Sequence, residues 1–191
     1  PVQLSDRPAN HMCLDALQRQ SRRQFEQALD VAAVVAAGVR GQAPLVIEVV
    51  PENLELKRKI FAQIDSLAPP EAILATNSSS IPISRIENAT QRPEKCLNIH
   101  FYAPATSTNI VDVMGGAKTS PEVIETAKQF IRSMGCIPLT VKKEILGFCF
   151  NSVWRAIKKQ TLYMWAGGFV DFRDIDLAWM VFTQMTQGPF G

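Results

Sequence analysis

Two short apolar runs constrain this chain more than any other feature. Leu45 to Val50 reads LVIEVV, and Ala72 to Thr76 reads AILAT. A strand with one wet face alternates apolar and polar residues. A run with almost no alternation, enriched in β-branched side chains, belongs to a strand buried on both faces, as in a parallel sheet covered by helices. The segment between the runs has the other period. Leu56, Ile60, Phe61, Ile64 and Leu67 recur at helical spacing, so they line one face of a helix. Asn53 can cap that helix, and Pro69-Pro70 end it. Strand, helix, strand in this order is the repeating unit of an α/β fold.

The rest of the chain extends the pattern. Val2 to Ser5 reads as a short extended stretch before Asp6 and Pro8. Ala9 to Ala37 reads as one or two helices, stopped by Gly38 and Gly41. A short helical turn is expected around Ile83 to Ala89. Cys96 to Phe101 and Asn109 to Met114 read as strands, joined by a loop rich in Pro, Ser and Thr. Ser120-Pro121-Glu122 is a helix start: a capping hydroxyl, proline at the first helical position, then an acid near the positive dipole end. Ile124, Ala127, Ile131 and Met134 form the expected buried stripe, and Gly135 the left-handed stop. Ile137 to Val141 reads as a last strand.

From Gly147 onward only helical signals remain. Val153, Ile157 and Thr161 share one face, with Trp154 and Trp165 beside it. Gly167-Gly168 end that helix. Asp171 opens another, with Ile175, Ala178, Trp179 and Phe182 expected inside. The fold class is therefore α/β over residues 1–142, with a mostly parallel sheet, followed by the start of an all-helical region over 143–191.

Composition excludes several classes of function. A net charge of +2, from twenty basic and eighteen acidic residues, leaves no nucleic-acid footprint and no polybasic membrane anchor. The apolar run around Val31 to Val39 is too short to span a membrane. Four scattered cysteines without a CxxC pair, and two histidines, argue against a zinc site or a disulfide framework. They favour a reducing, cytoplasmic compartment.

Three groups of residues could carry chemistry. Asp6 follows the extended stretch VQLS. A carboxylate at the tip of a second strand accepts hydrogen bonds from an adenosine ribose and repels a 2′-phosphate, which favours NAD over NADP. Arg7 beside it acts the other way, and a plain turn aspartate before Pro8 is the alternative. His100 ends the strand CLNIHF, and Asp112 lies inside NIVDVM. If those strands are neighbours, the acid can hold one imidazole nitrogen and raise the basicity of the other. A satisfied core histidine is the plainer alternative. Asn77-Ser78-Ser79-Ser80 follow a strand's carboxyl end, where α/β proteins bind ligands; a loop stitched by local hydrogen bonds is again the alternative. No two glycines are spaced as GxG, so the loop that would receive a pyrophosphate is expected to lie before the first residue, to come from a partner, or to be lost.

The blocks VIEVVPENLELKRKIFAQID, ILATNSSSIPIS, NIHFYAP…NIVDVMGG and GFCFNSVWRAI, with a terminal GPFG, follow one another in the order of the 3-hydroxyacyl-CoA dehydrogenases. The chain resembles a divergent branch of that family from about Leu45 to Gly191, and more loosely over Val2 to Asp6. The resemblance implies a Rossmann-like domain, lacking its first βα unit with the glycine-rich loop. It also implies part of a helical domain of the 6-phosphogluconate dehydrogenase C-terminal kind. It implies NAD as cofactor, an acyl-CoA-type small-molecule substrate of fatty acid metabolism, and no nucleic-acid or membrane partner; a homodimer stays open. By resemblance His100 is the base, Asp112 stands where the family has a glutamate, Ser79 is the serine near the reacting oxygen, and Asn151 is the asparagine of the helical domain. Glu52 and Lys57, with Ser79, match positions on the nicotinamide and ribose side of the cofactor site, and Asp6 matches the adenosine-ribose acid.

Three departures from the family pattern stand out. Asp112 is one methylene shorter than glutamate. Ala103 replaces an asparagine, and Ser152 replaces an arginine. Ala103, the absent glycine loop and a helical domain expected to be cut short at Gly191 open a second reading: an impaired dehydrogenase-like subunit kept for binding or assembly. Ser79, His100 and Asp112 are also the residue types of a hydrolase triad, but no serine lies in a GxSxG elbow.

Overall fold

The computed structural model describes residues 43–102 and 108–191. Asp6, the expected helices before Gly38 and the departure at Ala103 lie outside the described residues. The chain forms two compact units, one ending at Glu144 and one running Ile145–Gly191.

Among the described residues the first unit has five strands: β1 (Leu45–Glu48), β2 (Ile73–Thr76), β3 (Cys96–Phe101), β4 (Ile110–Gly115) and β5 (Ile137–Val141). They lie side by side in that order. β1, β2 and β3 are parallel, β4 runs antiparallel to β3, and β5 is parallel to β4. The sheet is therefore mostly parallel and Rossmann-like, as expected.

Two of the described helices cover it. Helix α1 (Leu54–Leu67) starts where Asn53 accepts a hydrogen bond from the Leu56 amide at 3.0 Å. Its Leu56, Ile60, Phe61 and Ile64 bury with Val46, Leu74, Ile83, Ile86 and Cys96 on one face of the sheet. Helix α2 (Pro121–Ser133) starts at Ser120, whose hydroxyl accepts from the Val123 amide. It covers the other face, where Val123, Ala127 and Ile131 pack on Ile73, Ala75, Leu97, Ile99, Val111 and Val113.

The structure corrects several expectations in detail. The first strand ends at Glu48 rather than Val50, because the Glu48 carboxylate accepts the Val50 amide at 2.5 Å and turns the chain out, leaving Val49 exposed. Leu45 and Ile47 are only half-buried. The stripe of α2 begins at Val123, with Ile124 half-buried, and Met134 is the exposed C-cap rather than core. Gly135 does take the left-handed φ of +77°. The expected turn at Ile83–Ala89 is two 3₁₀ turns, Ile83–Arg85 and Glu87–Ala89. Three-residue spacing eclipses Ile83 and Ile86, and both are fully buried.

The second unit contains α3 (Phe150–Ala166) and α4 (Phe172–Thr183), the latter capped by Asp171 on the Arg173 amide. Its contacts are aromatic. Trp154 stacks on Phe150 and meets Trp179 edge-on, while Trp165, Phe172 and Phe190 form an edge-to-face trio. Thr161 and Ile175 are buried and Val153 is exposed, while Ala178 and Phe182, expected inside, are exposed. Helical spacing alone does not say how wide a face is covered. Among the described residues, no helix is long and apolar enough to cross a membrane.

Candidate active site

Strand parity collects the polar residues of the first unit on one face. Successive side chains on a strand point to opposite faces. Val46 and Leu74 pack against α1, so Glu48 and Thr76, two residues further along, share their side. Register then places Glu48 beside Thr76, Thr76 beside Asn98, and His100 directly opposite Asp112. All five are buried. They stand toward the carboxyl ends of the parallel strands, where open α/β sheets form their ligand crevice.

His100 and Asp112 meet as the neighbouring strands allow. Residues directly opposite on antiparallel strands have Cβ atoms about 4.5–5.5 Å apart. The Asp112 Oδ2 lies 3.4 Å from His100 Nδ1. A carboxylate only accepts when ionised, so this contact favours the tautomer with its proton on Nδ1. A second group sits on the same oxygen: the Tyr102 hydroxyl donates to Asp112 Oδ2. The tyrosine ring also meets the imidazole edge-on, with centroids 4.7 Å apart. Asp112 Oδ1 is buried and has no hydrogen-bond partner among the described residues.

A second polar cluster spans the loops after β1 and β2. Lys57 is 1% exposed in its side chain and reaches from the first turn of α1 to Glu48 Oε1 at 2.9 Å, Glu48 Oε2 at 3.2 Å and the Val50 carbonyl at 2.9 Å. The Thr76 hydroxyl donates to Glu48 Oε2. Lys57 also lies 3.5 Å from Glu52. The Glu52 carboxylate accepts from the Ser78 hydroxyl at 2.5 Å, the Ser80 hydroxyl at 2.6 Å and the Ser80 amide at 2.9 Å. Burial acts to raise the Glu52 pKa, but the Ser78 and Ser80 hydrogen bonds and the Lys57 charge outweigh it and hold it below its ordinary value of 4.5.

This clasp decides where Ser79 goes. Its neighbours on both sides bind Glu52, and Ser79 itself is exposed between them. The base of the loop is held separately. The Asn98 amide accepts from the Ile83 amide and donates to the Ile81 carbonyl, and Asn77 accepts from the Phe101 amide.

His100 and Asp112 thus form one group in the structure, and Glu52, Lys57 and Ser79 another at the adjoining strand ends. Asn151 stands half-buried in the first turn of α3, in the second unit. Ser152, where the family has arginine, turns its hydroxyl back to the Leu146 and Phe148 carbonyls. Sequence reasoning missed Glu48 and Tyr102. Among the described residues no three His, Cys, Asp or Glu side chains gather as a metal site requires.

The donor set suits a dinucleotide's ribose and nicotinamide side. The Glu52 carboxylate and the exposed Ser79 hydroxyl stand in the loops after β1 and β2. Lys57 is committed to Glu48, Glu52 and the Val50 carbonyl.

Comparison with known proteins shows the family. The family described as 3-hydroxyacyl-CoA dehydrogenase, NAD binding domain, matches residues 6–145. The chain is 34% identical over 134 residues to a 5-formyl-3-hydroxy-2-methylpyridine 4-carboxylate 5-dehydrogenase of Mesorhizobium japonicum, a match covering 70% of this chain and 43% of that protein. It is 34% identical over 150 residues to an L-carnitine dehydrogenase of Bacillus cereus, covering 78% and 44%. The chain thus spans less than half the length of these relatives. A solved diketoreductase described as catalysing reactions of dicarbonyl compounds superposes with a TM-score of 0.77 at 33% identity, covering 93% of this chain and 70% of that one.

Proposed function

Because the chain belongs to the 3-hydroxyacyl-CoA dehydrogenase family, through the NAD binding domain of that family, we propose that it serves NAD-dependent interconversion of a 3-hydroxyacyl-CoA, or a related 3-hydroxy acid or thioester, and the 3-keto compound. The observation that carries this reading is the facing pair His100 and Asp112 across β3 and β4.

In this reading NAD, when bound, supplies the acceptor for the carbinol hydride. Everything else falls to side chains. In the oxidation direction His100 Nε2 takes the substrate's hydroxyl proton as the carbon–oxygen bond becomes a carbonyl; in reduction it returns that proton. Asp112, on Nδ1, favours the tautomer with its proton on Nδ1, and it stabilises the imidazolium that forms. Ser79, presented by the Glu52 clasp, offers its hydroxyl to the reacting oxygen. Glu52 takes the ribose side of the cofactor with Lys57 behind it, and Asp6 takes the adenosine ribose.

The substrate class rests on two lines. The family name points to a coenzyme A thioester. The relatives named above act on carnitine, a pyridine carboxylate and dicarbonyl compounds, so a free 3-hydroxy acid fits the same chemistry. Reduction of NAD and of NADP should be followed with short-chain 3-hydroxyacyl-CoA thioesters and with the matching free acids. The reading expects turnover with NAD on at least one of the two classes. Saturable NADH binding without turnover on either would move the chain to the alternative, a dehydrogenase-like binding or assembly subunit.

A further inference from the structure

The family position opposite the base holds a glutamate, and this chain holds Asp112. The shorter side chain does not close the gap. Its nearest oxygen stops 3.4 Å from His100 Nδ1, beyond the roughly 2.9–3.0 Å common for N–H···O bonds. The carboxylate is fully buried, and Oδ1 finds no hydrogen-bond partner among the described residues. A buried carboxylate resting on one long contact would be costly and free to turn. Tyr102 changes that. It stands two residues beyond His100, near the end of β3. Its hydroxyl donates to Asp112 Oδ2, and its ring lies edge-on to the imidazole at 4.7 Å with an interplanar angle of 72°. One side chain therefore touches both members of the pair.

We propose that Tyr102 is a positioning residue for His100: its hydroxyl fixes the Asp112 carboxylate and its ring fixes the imidazole plane, together doing what a longer acid would do by direct reach. The proposal rests on the reading of His100 as the proton-accepting base. It needs no change in the chemistry of the reaction. Tyr102 touches neither hydride nor hydroxyl proton; it acts through Asp112 and the His100 ring. Phenol and carboxylate each keep their own proton count through the cycle.

Two measurements test it. The sequence has two histidines, so long-range nitrogen–proton NMR of the imidazoles resolves His100 once H11Q has assigned the other. This reads the tautomer with neither substrate nor cofactor present. The full chain should show His100 in one neutral tautomer with its proton on Nδ1. Y102F, which keeps the ring and loses the hydroxyl, should show a mixture of both tautomers, and Y102F/D112E should return to one. In turnover, Y102F should lower kcat on the order of tenfold, part of the roughly hundredfold or more that a positioned base supplies, with KM for NAD unchanged. The longer acid in Y102F/D112E should recover most of that loss. A Y102F variant with the single tautomer and the kcat of the unsubstituted chain would overturn the proposal. Undiminished turnover in H100A would instead overturn the catalytic reading beneath it, while the tautomer result would still decide whether Tyr102 orients the ring.

Discussion

Lys57 and Glu48 form an ion pair at 2.9 Å with both side chains 1% exposed, and this pair joins the end of β1 to the first turn of α1. Removing one partner of a buried pair leaves the other charge uncompensated, at a cost of about 3–5 kcal/mol. K57M should therefore lower the free energy of unfolding by that amount in urea denaturation. E48Q/K57M should lose clearly less, because no buried charge is then left alone. Equal losses in the two variants would show that packing, not charge, governs the site.

Glu52 sets an acid limit on the Ser79 loop. Its carboxyl is depressed below 4.5 in the folded chain, burial opposing the shift and the Ser78 and Ser80 hydrogen bonds and Lys57 producing it. A depressed carboxylate adds stability that is present above its unfolded value and is lost as pH falls through the folded one. The unfolding midpoint of the chain should thus drop below pH 4.5 with a component that E52Q lacks. E52Q should also raise hydrogen exchange at the Ser80 amide, which donates to Glu52. An acid limb of the same size in E52Q would remove Glu52 as its source.

Asn98 should matter more than its place inside a strand implies. Its amide satisfies two backbone groups of the loop, the Ile83 amide at 2.8 Å and the Ile81 carbonyl at 3.1 Å. Each buried polar group left unsatisfied costs about 1–3 kcal/mol. N98L should destabilise the chain by at least that much and loosen the segment carrying Ser79. Thermal unfolding gives the first effect, and proteolysis between Ser78 and Ile83 gives the second.

Cys96 is fully buried, and burial first of all pushes its thiol up to about 11. The thiolate is the reactive form. At about pH 8, where exposed thiols react, Cys149 should label and Cys96 should stay unlabelled until the fold opens. Mass spectrometry of the alkylated native chain reads both; early labelling of Cys96 would mean that this core opens readily.

The fold was legible where one local rule decides an element. Continuous apolar runs marked β1 and β2, and Asn53, Ser120 and Asp171 cap their helices because capping needs only a side chain and an amide two or three residues on. Boundaries slipped where adjacent residues are equally apolar. Val123 and Ile124 both fit a helical stripe, and only packing against the sheet selects Val123. The pair His100 and Asp112 was legible as residue types, since an acid inside an apolar strand needs a partner. The same cost applies to Glu48 inside LVIEVV, and Lys57 in the first turn of the next helix meets it. Tyr102 carried a signal too, two residues after His100 and close to the diagonal from Asp112, but that contact becomes visible only once β3 and β4 are in register.

The proposed role of His100 as the proton-handling base of an NAD-dependent dehydrogenase is tested by NADH oxidation with a 3-ketoacyl thioester, by the full chain beside H100A, with NADH binding measured for both. H100A should fall roughly hundredfold or more in rate while NADH binds as before. Equal rates in the two proteins would contradict that role.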